Sequence, residues 1–139
     1  MNSSELYGTL VMVHPHLHVD PLRKQGQVGI FTYLDFGNRA FVSFLDGKEG
    51  TYAAATLFKL KEREQLFESI DDPSTLSVKD YKDIYQISLL QDYGGNKGTL
   101  RALEIAAKNP SIWENTLVKL EYHLREKMEL QQMRTAYGR

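Results

Sequence analysis

Between residues 6 and 60 apolar and polar positions tend to alternate, and beyond residue 60 the spacing lengthens to that of a helix. The first strand is expected in TLVMV, stopped by His14 and Pro15. QVGIFTYLDF follows, with Val28, Ile30, Thr32 and Leu34 on one side and Phe31, Tyr33 and Asp35 on the other. A turn at FGN leads into RAFVSFL, and DGKEG at residues 46–50 is a second turn, because an Asp-Gly pair tolerates the positive φ of a tight hairpin. Residues 51–54 and 57–60 are expected as the fourth and fifth strands.

The helical half is punctuated by its breakers. EREQLFESI is a short amphipathic candidate, interrupted by DDPST. SVKDYKDIYQISLLQDY is expected to be a helix with Ser77 as N-cap, Tyr81, Ile84 and Ser88 on one stripe and Gly94 at its end. TLRALEIAAK is expected to follow with Thr99 as N-cap, stopped by Asn109 and Pro110. Ser111 and Glu114 have capping-box spacing, and Trp113, Leu117, Leu120, Leu124 and Met128 recur every three or four residues. That pattern predicts one long terminal helix to about residue 137, roughly 40 Å at 1.5 Å per residue, with Trp113 buried as its anchor.

Five short strands with a long loop after the first fit a small closed barrel, which removes exposed edges. The segments GQVGIFTYLD, AFVSFLDGKEGTY and LFKLK resemble the strand, hairpin and closing-strand order of SH3-like barrels of the KOW and Tudor type. The expectation is an α+β chain: an SH3-like β-barrel over residues 1–60, then a helical region over 61–139 packed on it as one cooperative unit. A barrel of that size buries only about 60% of its unfolded surface, so it needs such a helical cover.

Composition narrows the chemistry. With no cysteine among 139 residues, disulfides, thiolate metal sites and thiol nucleophiles are all absent. Seventeen basic and eighteen acidic residues leave a net charge of -1, although residues 93–139 hold eight basic against five acidic. No stretch approaches 18 uninterrupted apolar residues and no leader-like run opens the chain, so a cytoplasmic protein without a membrane partner is expected.

Four groups of residues invite a functional reading. His14, His16 and His18 alternate in HPHLHVDP and are the only metal candidates; Pro15 and the lack of a nearby Glu favour an exposed loop with Leu17 or Val19 tucked inward, and no metal is expected. Phe31, Tyr33, Phe36, Phe41, Phe44 and Tyr52 supply more aromatic surface than a barrel interior holds, and of these Phe31, Tyr33, Phe41 and Tyr52, with the acidic Asp35 beside them, are the material of a partner-binding groove. Lys97, Arg101, Lys108, Arg125, Lys127 and Arg134 are the residues a nucleic acid would contact. GGNKGT lacks the order of a phosphate-binding P-loop and reads as a helix connector.

No nucleophile elbow, metalloprotease pair or acid–base motif is present. The expected function is therefore a non-enzymatic protein-interaction or scaffolding module, binding a protein partner or a second copy through the terminal helix. It has no cofactor and no small-molecule substrate. The alternative is a nucleic-acid-binding accessory protein that uses the barrel and the basic C-terminal third.

Overall fold

The computed structural model describes residues 6–35, 38–68 and 73–125. Strands form where alternation predicts them: β1 (Leu10–Val13), β2 (Val28–Leu34), β3 (Arg39–Phe44), β4 (Glu49–Ala53) and β5 (Leu57–Leu60). Gly47, at φ 85, makes the turn between β3 and β4. Asn38, at φ 60, belongs to the turn before β3, whose Phe36 and Gly37 lie outside the described residues. A sixth strand, β6 (Leu117–Lys119), was not expected. All pairings are antiparallel, in the order β4-β3-β2-β1-β5-β6.

The sheet is strongly curled. In a flat sheet β4 and β5 would lie about 19 Å apart, yet only a 3-10 turn, Ala54–Thr56, joins them, and the four steps from Ala53 to Leu57 reach at most about 14 Å. The concave face is consequently filled by every strand from β1 to β5: Val11, Val13, Phe31, Val42, Phe44, Tyr52 and Leu57 share one buried cluster. The barrel expected from the sequence is nonetheless not closed. Closure requires β5 to pair with β4, and the edge of β5 that β1 leaves open is taken by β6.

The convex face of β1, β5 and the start of β2 is covered by helices. Met12, Val28, Phe58 and Leu60 pack there with Leu66, Ile84, Ile87, Leu103, Ile112 and Leu117. The helices are α1 (Val78–Tyr93), α2 (Gly95–Ala107) and the single turn α3 (Trp113–Thr116). Ser77 caps α1 as expected, accepting a hydrogen bond from the Asp80 N–H at 3.0 Å. Of the three residues placed on one stripe, Ile84 and Ser88 are buried, whereas Tyr81 is exposed and meets the Phe67 ring at 6.2 Å.

α2 begins four residues before the expected cap. The Thr99 hydroxyl donates back to the Gly95 carbonyl at 3.1 Å, a helix-interior bond. Two glycines of GGNKGT, Gly94 and Gly98, are required by close packing where the two helices meet, and the third, Gly95, takes a positive φ of 57. A Cβ on Gly98 would stand 2.3 Å from the Leu90 carbonyl oxygen, and one on Gly94 would stand 2.4 Å from the Gly98 Cα. In EREQLFESI only a 3-10 turn, Arg63–Gln65, forms among the described residues, and it buries Leu66.

The single long terminal helix is the largest correction. After the 3-10 turn Pro110–Ile112 and α3, the chain extends into β6 and is helical again over residues 120–125. The backbone of β5, buried along its whole length, needs partners on its second edge, and Leu117–Lys119 supplies them. The apolar stripe is thereby divided. Trp113 and Leu117 join the convex cluster, Leu120 and Leu124 cap the concave one, and Met128 lies outside the described residues.

Candidate functional site

The loop between β1 and β2 is held by charged groups that burial would otherwise penalise. The Asp20 carboxylate, buried at its centre, accepts from the N–H of Leu22 at 3.1 Å and of Lys24 at 2.8 Å. It also accepts from the Tyr52 hydroxyl at 3.0 Å, so burial and the adjacent carboxylate push the phenol pKa upward. Buried Lys24 pairs with Asp46 and lies 5.3 Å above the Phe44 ring. The Lys24 hydrogen bond, with the Lys48 N–H, holds Asp46 below the usual carboxylate range. These contacts fix where the loop leaves and rejoins the sheet.

The three histidines do not converge. His16 and His18 are exposed, Leu17 packs against the concave cluster, and Val19 is 81% exposed. His14 departs from the expectation of solvent exposure. It is half-buried, with its ring 5.2 Å from Phe58 and 5.8 Å from Trp113, and its Nδ1 accepts the His16 N–H at 2.9 Å. Among the described residues no group of three or more His, Asp or Glu side chains is placed to hold a metal ion. Trp113 itself is half-buried, its indole N–H bonded to the Ala106 carbonyl at 2.7 Å.

The five aromatic-groove candidates are separated by a bulge. Phe31 pairs with Val42 and Tyr33 with Phe41, so Thr32 is an extra residue that turns Tyr33 to the opposite face from Phe31. Phe31 and Tyr52 are core side chains, unable to line a groove. Tyr33 and Phe41 remain together on the convex side at 5.6 Å, with Tyr7 6.0 Å from Tyr33. Asp35 closes its own turn, accepting from the Arg39 N–H at 2.9 Å.

The basic candidates divide as well. Lys97 and Arg101 lie on one exposed side of α2 with Glu104, Lys108 follows at its C-terminal cap, and Arg125 donates to Glu121 at 2.8 Å. Lys127 and Arg134 lie outside the described residues.

What the fold does assemble is a trough between the first turns of α2 and the convex face of β2 and β3. Two hollows of about 270 and 280 Å³ share Val28, Leu45 and Leu100 as their floor and rim. Leu10 and Ile30 extend the apolar wall at one end beside Asn96 and Lys97, while Asp46 and Glu104 stand at the other. The trough thus offers apolar burial along its length, an amine at one end and two carboxylates at the other. Apart from Phe44, counted among the surplus aromatics, none of its apolar residues was singled out from the sequence as functional. The available signal was the Val28 and Ile30 alternation, which marks a second apolar face without showing that α2 covers only part of it.

No helix among the described residues is long and apolar enough to cross a membrane. No family model, no curated protein and no solved structure matches the chain.

Proposed function

We propose that the chain is a non-enzymatic protein-interaction module that takes an apolar segment of a partner protein into the trough beside α2. The observation that carries this reading is the trough itself, continuous apolar surface from Ile30 to Leu45 with opposite charges at its two ends. Apolar walls supply the affinity, and Lys97 against Glu104 gives a bound segment its direction, Asp46 being paired with Lys24. We read the curled sheet that supports the trough as an SH3-like small barrel left open by β6. The strand order, the 3-10 link from β4 to β5 and the cluster common to five strands support this reading.

Selection from a displayed peptide library against the immobilised chain tests the function. Enriched peptides are expected to carry two or more apolar anchors and to bind with little dependence on salt. Ile30→Asp and Leu100→Asp are each expected to weaken them at least about tenfold, since each places a charge where the anchor is desolvated. Failure to enrich any peptide, or equal binding by both variants, would remove the trough as the site.

A further inference from the structure

α1 is apolar on both sides. Its inward side buries Ile84 and Ile87, while Tyr81, Tyr85, Leu89 and Tyr93, four residues apart, form a single outward ridge with Val78 at its N-terminal end. These five side chains are between 41% and 82% exposed. Scattered surface apolar residues need no explanation, but a four-turn ridge of them is a contiguous patch.

We infer that this ridge is a self-association surface, on which α1 of a second copy packs antiparallel across a two-fold axis. Charge selects the occupant and its direction. Lys79 is paired with Asp83 at 2.9 Å, and Asp80 and Asp83 accept from Asn109 at 2.9 Å, so these groups are tied down within the chain. Beside the ridge stand Lys82 in its N-terminal half and Asp92 in its C-terminal half, the latter in a loose 3.5 Å contact with Arg63. An axis at the level of residue 87 sets Tyr81 opposite the second copy's Tyr93, Tyr85 opposite Leu89, and Lys82 opposite Asp92. Each relation is reciprocal, as a two-fold interface requires. Parallel packing would instead set lysine against lysine and align the two helix dipoles.

The area is adequate. From typical values for aromatic side chains, the exposed ridge offers on the order of 600 Å² per copy, near the about 800 Å² per partner of a standard interface. The ridge shares no residue with the trough, so this surface stands independently of the partner-binding reading.

Sedimentation of the full chain over a concentration series is the test. A reversible monomer–dimer equilibrium is expected in the micromolar range, and Leu89→Glu should weaken it at least tenfold while leaving the circular dichroism spectrum unchanged. Lys82→Asp and Asp92→Lys should each weaken the dimer, and the double variant should restore it. Ile30→Asp, in the trough, should leave the dimer intact. A chain that stays monomeric at several hundred micromolar, or a dimer indifferent to Leu89→Glu, overturns the assignment. Loss without restoration in the double variant overturns the antiparallel register.

Discussion

The concave and convex faces of this sheet are filled by different means, though three strands, β1, β2 and β5, serve both. On the concave side eight of the twelve buried members are strand residues, and Leu6, Ala54, Leu120 and Leu124 complete the cluster. On the convex side only five of the twelve are strand residues, Met12, Val28, Phe58, Leu60 and Leu117, and helices or turns supply the other seven. β1 and β5 carry side chains to both clusters, so LVMV and LFKL read as nearly continuous apolar runs. β3 serves the concave cluster alone and keeps strict alternation, with Ala40, Val42 and Phe44 buried between more exposed neighbours. A break in alternation therefore marks a strand enclosed by two layers rather than a weaker strand.

The severest way to break the comparison is to empty the concave side. Phe31 is fully buried there, and Phe31→Ala is expected to cost about 3–5 kcal/mol through lost transfer energy and the cavity left behind. Urea unfolding followed in parallel by circular dichroism and by the fluorescence of Trp113, which sits against the convex cluster, checks more than the magnitude. Because β1 and β5 belong to both clusters, the two signals should move to lower urea together. A tryptophan transition that stays in place while the dichroism shifts would mean that the faces unfold separately.

A gentler change tests the crossing between the faces. Val118, partly buried in β6, pairs with Lys59, and alanine there removes a β-branched side chain suited to a strand. Val118→Ala is expected to destabilise by about 1 kcal/mol. In the continuous helix that the spacing of Trp113, Leu117, Leu120 and Leu124 suggested, the same change would have been stabilising, because alanine is the better helix former. The sign of the shift in the urea midpoint separates the two.

That misreading shows what was legible and what was not. Strands β1 to β5, the Asp-Gly turn and the Ser77 cap are local events, decided by alternation, by φ at one residue and by one hydrogen bond, and each stood in the sequence. β6 is decided by an unpaired edge almost sixty residues away, which no local period records. The start of α2 was hidden for a related reason: Gly94 and Gly98 look like helix breakers until Leu90 is seen packed against them. The faces of α1 were illegible because both are apolar, and only the position of the sheet shows that Ile84 and Ile87 turn inward while the tyrosines do not. The candidate site followed the same division, since the trough is bounded by two elements brought together by the fold alone.

The smallest expected effect lies where the β1–β2 loop leaves the sheet on its convex side, and it is read through pH. Burial against Phe58 and Trp113, then the charges of His16 and Lys119, hold the His14 pKa below its usual value. Unfolding returns the imidazole to about 6.5, so between the folded value and that one the unfolded chain binds more protons. Stability then rises with pH: the contribution is complete above about pH 6.5 and is lost as pH falls toward the folded pKa. Asp46 and Asp80 are also shifted, but downward from the carboxylate range, so the stability tied to them is lost only at lower pH. Thermal melts of the wild type and of His14→Gln at matched ionic strength isolate the imidazole. The wild type is expected to lose more melting temperature between neutral pH and about pH 5 than the variant does. Equal losses would place the pH response elsewhere and would leave His14 as packing for Trp113 without a titrating role.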